Sequence, residues 1–297
     1  MNRDTGATFD RALVLGPGGL VGTAWMTGLA AGLRRGGVDL GGADLTVGTS
    51  AGAIVGALLA TGQDLDRLAA PAHQPSPAAA RHKVDAAVMG AVFAVLGEAG
   101  LEPGEARRRV GRIALDHADS DPDSDSDGEQ ALLAGRGALI GSNAWPPERQ
   151  LLITAVDAVT GEPVVWDRTS GVPLVRAVAA SSTFPGAEPP VTIQGRRYMD
   201  GALRSGANAD LAAGARRLVV IEPLAHLFPR EALEQQLAAV GAQTVVTVGP
   251  DPDAVRAFGS DLYDRANWEP AYRAGLDQAT ATAERLRTVW KTASGTA

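Results

Sequence analysis

The chain has 297 residues, 45% of them hydrophobic and 21% charged, with a net charge of −7, a globular profile long enough to bury a sizeable core. That acidic balance speaks against nucleic acid as a partner and against strong attraction to an anionic membrane surface. There is no cysteine, which excludes disulfides, a thiol nucleophile and thiolate metal sites.

The opening residues lack a basic segment followed by an apolar stretch, and no run reaches the roughly 18 apolar residues of a membrane span. The expected location is the cytoplasm. A first strand is predicted at Ala12 to Leu15, then a glycine turn and a helix from Thr23 to about Arg35. A second strand at Leu45 to Val47 enters another glycine turn and a helix from Ala51 to Thr61. Strand, turn and helix written twice is the pattern of a parallel sheet covered by helices. Leu68 to Pro77 reads as a Pro-containing connector, and residues 84–101 as a nearly all-apolar helix, buried or interfacial.

Residues 116–129 are low in complexity and strongly acidic, and are expected to form a flexible, solvated loop. Asp123, Asp125, Asp127 and Gly128 resemble the opening of a calcium-binding loop, but the twelfth position is Ala134 where a bidentate Glu is required. No metal and no cofactor are expected. Strand character returns at Gln150, with a hairpin through Thr160-Gly161. A helix follows at about Pro173 to Ala180, then a second hairpin turning at Gln194-Gly195. The tail alternates strand LVVIEPL, helix EALEQQLAAV, strand TVVTVG and a long helix from about Tyr272. With no internal repeat and no linker, residues 1–297 read as one domain.

Three segments carry chemistry. Gly48-Thr49-Ser50-Ala51-Gly52 lies between a strand and a helix, the context in which G-x-S-x-G acts as a nucleophile elbow. Small residues at −2 and +2 let the backbone pass close to a serine held in a sharp turn, at a helix N-terminus that favours developing negative charge. A plain strand-to-helix turn is the alternative. The run Gly16-Pro17-Gly18-Gly19-Leu20-Val21-Gly22 is no dinucleotide fingerprint, because Val21 stands where the third glycine belongs, and no lysine makes it a phosphate loop. It leaves free backbone amides suited to an oxyanion hole, or a tight turn for close helix packing. Asp200-Gly201 follows a strand and is ordinary turn chemistry unless Ser50 needs a base. Of the four histidines, His73 sits in the connector, His117 in the acidic loop and His82 at a helix start. Only His226 has the chain order of an α/β-hydrolase triad.

Taken together, LVLGPGGLVG, GTSAGAIVGALLA and VRAVAASSTFPGAEPPVTIQGRRYMDGAL resemble, in order and spacing, the three blocks of the patatin-like phospholipase family. The resemblance covers nearly the whole chain. It implies an α/β fold, a three-layer α/β/α sandwich with a mostly parallel central sheet. It also implies a Ser50–Asp200 dyad without histidine, an oxyanion hole around Gly18 and Gly19, and elbow glycines Gly48 and Gly52. The substrate would be a lipid or another acyl ester, cleaved through an acyl-serine, with transient contact at a membrane surface. Val21 departs from the family, which usually carries Arg or Lys there, so the resemblance supports acyl esters in general more than phospholipids. Asp200 as base must be raised from about 3.9 by burial. Residues 84–101, Trp145, Trp166 and Phe184 are expected to line an acyl channel. Acyl transfer, an α/β-hydrolase using His226, and a silent lipid-binding protein of the same fold are the alternatives.

Overall fold

The computed structural model describes residues 9–69, 84–120, 126–228 and 230–290. Eight strands form one sheet: β1 (Phe9–Leu15), β2 (Leu45–Gly48), β3 (Gln150–Asp157), β4 (Pro163–Trp166), β5 (Val191–Ile193), β6 (Arg196–Asp200), β7 (Ala215–Ile221) and β8 (Thr244–Val248). Their order is β5-β6-β3-β2-β1-β7-β8, with β4 paired to β3 off this path. β3, β2, β1, β7 and β8 run parallel, and β4, β5 and β6 add an antiparallel margin. Gln194 and Gly195 both have positive φ, 51° and 76°, as a two-residue type I′ hairpin needs.

The nine helices among the described residues are α1 (Gly19–Arg35), α2 (Ala51–Ala60), α3 (Ala86–Leu96), α4 (Pro103–Ser120), α5 (Ser126–Ile140), α6 (Leu174–Ser181), α7 (Glu231–Val240), α8 (Pro252–Phe258) and α9 (Trp268–Trp290). Strand periodicity assigns the faces. Leu13, Leu15, Ile153, Ala155, Val219 and Ile221 join the large core with α1, α2, α5, α6, α8 and α9. Their alternates Ala12, Val14, Leu152, Leu218 and Val220 pack toward α7, and Val156 and Met199 pack with Val92 of α3 and Val110 of α4. The result is the expected three-layer α/β/α sandwich.

α1 and α9 cross at backbone contact: a Cβ on Gly28 would meet Tyr272 O at 2.0 Å, and one on Gly275 would meet Trp25 O at 2.1 Å. α9 starts at Trp268, four residues before the sequence suggests, because Pro270 falls in the first turn, where its missing N–H costs no hydrogen bond. The acidic loop expected over 116–129 is corrected at its two ends, 116–120 and 126–129, while 121–125 lie outside the described residues. α4 runs to Ser120 and α5 begins at Ser126, since α4 buries Ala106, Val110 and Ala114 at helical spacing and carries its acidic end on the exposed side. Asp123 and Asp125 lie outside the described residues, as does most of the Leu68–Pro77 connector. The apolar segment 84–101 is helical only over Ala86–Leu96, with Val92 alone buried.

Candidate active site

Ser50 sits between β2 and α2 with φ 57° and ψ −119°, a strained conformation for a residue with a side chain. The turn around it tolerates only glycine at its flanks. A Cβ on Gly52 would lie 2.0 Å from Leu15 O, and one on Gly48 2.7 Å from Ala53 Cα. The strain is held by fixed partners. Thr49 N–H donates to Leu15 O, Gly52 N–H to Gly16 O, and Ser50 N–H to the Ser181 hydroxyl at 3.0 Å.

Asp200 ends β6, paired with Ala155 of β3, and is 1% exposed while Ser50 is 8% exposed. Its N–H donates to Thr183 O, and its Oδ1 accepts from Ala202 N–H at 2.8 Å. Oδ2 is buried with no hydrogen-bond partner among the described residues. Burial pushes the Asp200 carboxyl up to about 7, against the opposing pull of Ala202 N–H, the Ser50 hydroxyl and the Arg136 guanidinium. Ser50 is thus near enough to favour the carboxylate, yet no hydrogen bond of ordinary geometry joins the two side chains.

The glycine run turns from β1 into α1 beside this pair. Gly18 is extended, with φ −174°, and Gly19 takes φ 61°. In the first turn of α1, Leu20 and Val21 give their N–H groups to Leu262 O, and Gly22 gives its own to Gly18 O. The amides of Gly18 and Gly19 have no acceptor among the described residues. Val21 is fully buried in the main core, so the position where the family carries a cation is here a packing position.

Several groups at the site are invisible in the local sequence pattern. Asn208, fully buried and left-handed at φ 57°, donates its amide to Thr49 Oγ1 at 2.9 Å and Gly201 O at 3.2 Å. Thr49 Oγ1 is also 3.0 Å from Thr154 Oγ1. Arg204 bonds Asn208 Oδ1 and pairs with Asp210 at 2.5 Å. Arg136 of α5 donates to Ser182 Oγ at 2.8 Å and Ser182 O at 3.3 Å, with Glu188 at 3.6 Å. Burial first, then the charges of Asp200 and Glu188, push the half-buried Tyr263 phenol up. Positions 204–208 carry a sequence hint, an Asn in a turn dense with Ser and Gly; Arg136 and Tyr263 carry none.

The remaining expected residues divide. Phe184 stacks on Phe93 of α3 with centroids 5.7 Å apart and packs against the cluster that holds Val92 and Met199, on the sheet face opposite Asp200. Trp145 is elsewhere. Its indole donates to Val172 O, and it lines a 510 Å³ cavity with Phe9, Asp44 and Gln150, at the amino edge of the sheet. The reason is topological, because Trp145 precedes β3 whereas Ser50 follows β2. Trp166 is packed in the core against Tyr198. That cavity and a second of 370 Å³ beside Val172 and Ile193 do not reach Ser50. His226 is exposed, its ring facing Phe258 at 6.3 Å, and no hydrogen bond links it to Ser50 or Asp200 among the described residues.

Three solved structures illustrate what the chain is similar to. VipD from Legionella pneumophila aligns with a TM-score of 0.47 at 12% identity, over 93% of this chain and 67% of that one. Full-length ExoU from Pseudomonas aeruginosa, in complex with SpcU, gives 0.39 at 18% identity, over 95% and 53%. Human GIVD cytosolic phospholipase A2, in complex with methyl gamma-linolenyl fluorophosphonate, gives 0.40 at 12% identity, over 98% and 60%. The chain thus spans between about half and two thirds of these proteins. No curated protein matches it. Residues 13–213, which include the glycine run, Ser50 and Asp200, match the family described as patatin-like phospholipase. With more than half of its length matched, the chain belongs to the patatin-like phospholipase family.

Proposed function

We propose that the protein is a serine acyl hydrolase of lipid esters, with Ser50 as nucleophile and Asp200 as its base, and no histidine. The observation that supports this reading is the strained Ser50 turn fastened through Ser181 and Thr183 to a buried Asp200 with Oδ2 unpartnered among the described residues, a burial that pushes its carboxyl up to about 7. A base near neutrality is matched to removing a hydroxyl proton at physiological pH. An aspartate in water would be too weak.

Asp200 takes the Ser50 proton as Oγ attacks the ester carbonyl. The tetrahedral oxyanion is received by the unpaired amides of Gly18 and Gly19, worth roughly 3–4 kcal/mol per good donor in comparable sites. The alcohol or lysolipid leaves with the proton. Water then attacks the acyl-serine, with Asp200 again as base.

The test is hydrolysis of short- and medium-chain p-nitrophenyl esters by wild type, Ser50→Ala, Asp200→Asn and His226→Ala. Loss in the first two variants, by about a thousandfold or more, with His226→Ala within twofold of wild type, is the expected pattern. Equal loss in His226→Ala, or failure of a fluorophosphonate to label Ser50, defeats the dyad.

A further inference from the structure

Six large hydrophobic side chains are exposed among the described residues: Phe93, Leu96, Val159, Leu227, Phe228 and Val245. Four of them fall on two short segments, and both segments abut the catalytic elements. α3 carries Phe93 and Leu96, 49% and 41% exposed. Its start is locked to the strip that holds Asp200: Asp85 N–H donates to Gly186 O at 2.7 Å, and a Cβ on Gly186 would meet Met89 N at 2.9 Å. From Gly186 the chain runs back through Phe184 to Thr183, whose carbonyl accepts from Asp200 N–H.

The other segment follows β7. Pro223 presses on the glycine run, 2.7 Å from where a Gly18 Cβ would be. The turn that follows, closed by Leu227 N–H to Leu224 O, ends in Leu227 and Phe228, each 54% exposed. Register puts Asp200, two rungs beyond the level of Gly48, and the start of the post-β7 turn at one edge. Leu15, Gly48 and Ile221, the last residues of β1, β2 and β7, are level with each other, and Ser50 and Glu222 lie just beyond them. This is the carboxyl edge, where open α/β sheets bind ligands.

Charge narrows the partner. None of the eleven residues of α3 is charged, its flanks carry Lys83 and Asp85 before it and Glu98 and Glu102 after it, with Glu98 paired to Arg109, and the chain carries −7. An anionic bilayer or a basic peptide groove would find no cationic counterpart on α3, whereas an uncharged apolar tip suits acyl chains beneath zwitterionic head groups.

We propose that α3, through Phe93 and Leu96, and the post-β7 turn, through Leu227 and Phe228, form an apolar rim around the catalytic edge that docks on a zwitterionic lipid surface. The proposal rests on the reading that the substrate is a lipid ester. Docking brings the Ser50 edge against the membrane and leaves the opposite edge, with Trp145, toward solvent.

The experiment measures co-sedimentation of the Ser50→Ala protein with phosphatidylcholine vesicles, with and without Leu96→Ser, Leu227→Ser and Phe228→Ser together. Phe93 is left in place because it braces Phe184. Binding is expected to fall at least tenfold in the combined variant, and to weaken when 30% of the lipid is replaced by phosphatidylserine. The same three substitutions in the active enzyme are expected to leave cleavage of a dissolved short-chain ester within twofold of wild type, and to cut cleavage of vesicle-borne ester at least tenfold. Unchanged vesicle binding, or a preference for the anionic vesicles, overturns the proposal. So does a wild-type dimer that the substitutions break apart, which would assign the rim to a second copy. Vesicle binding by an enzyme inert on every ester would instead defeat the hydrolase reading and leave the docking surface standing.

Discussion

Asp200→Asn is expected to abolish activity and, at neutral pH, to make the protein more stable. The carboxyl sits at about 7 in the fold against an ordinary value of 3.8. Between those values the native state holds a proton that the unfolded chain has released, so stability falls as pH rises through the window. With each pH unit worth about 1.4 kcal/mol, burying the Asp200 carboxyl costs about 4 kcal/mol at pH 8, where it is ionised, and about 2 kcal/mol at pH 5, where the fold must keep it protonated. Asparagine keeps the oxygen that accepts Ala202 N–H and carries no charge, so it removes the ionisation cost. In a chain of this size about 1 kcal/mol corresponds to about 2 °C, giving a Tm gain of about 8 °C at pH 8 and about half that at pH 5. The assay is thermal unfolding of wild type and variant across pH 5–8, beside kcat/KM of the wild type, whose acid limb should fall at about 7. A Tm difference that does not grow with pH, or a variant less stable than wild type at pH 8, would refute the account of Asp200 as a carboxylate stressed by burial.

Arg136→Gln removes a cation that favours the Asp200 carboxylate, so the acid limb of kcat/KM should move to higher pH and recover partly in Arg136→Lys; a stationary limb refutes the coupling. Gly52→Ala drives a methyl group to 2.0 Å from Leu15 O and should cost about 3 kcal/mol or more, read as loss of soluble, folded protein; a well-folded variant would show that the elbow can widen. Asn208→Ala leaves Thr49 Oγ1 and Gly201 O without their shared donor. It should cost about 1–3 kcal/mol and lower kcat more than it raises KM, whereas unchanged kinetics would separate this network from the dyad.

How legible these features were depended on the range of the interaction behind them. The turn at Ser50 could be read because its demands are local, with Gly48, Ser50 and Gly52 adjacent to a strand of four residues and a helix of ten. Asp200 could be read through its hairpin and the family pattern. α5 escaped because Gly128, Gly135 and Gly137 dilute its helical signal, and Arg136 was hidden with it. α4 escaped for a different reason, since its apolar residues are mostly alanine and glycine and its acidic end merges into the acidic run. Tyr263 lies more than sixty residues beyond Asp200 and outside the matched residues 13–213, so only the tertiary fold brings it to the site. α3 marks another limit. Its composition suits a buried helix, and burial is a property of its neighbours; only Val92 found any.

The strained serine and the desolvated aspartate belong to different strands, and what joins them is short. Ser181 Oγ holds the Ser50 amide, Ser182 holds Arg136 through hydroxyl and carbonyl, and Thr183 O holds the Asp200 amide. Three consecutive residues at the end of α6 therefore grip Ser50, Arg136 and Asp200. α6 itself is anchored in the core by Leu174, Ala177 and Val178, all fully buried. The opposite side is tied by Asn208 between Thr49 and Gly201. A left-handed serine and an ionised buried carboxylate each cost of the order of a few kcal/mol, and neither persists unless its surroundings over-determine it. Here the backbone of both residues is fastened on two sides to rigid elements, while Phe184 and α3 hang from the same three-residue strip toward the surface.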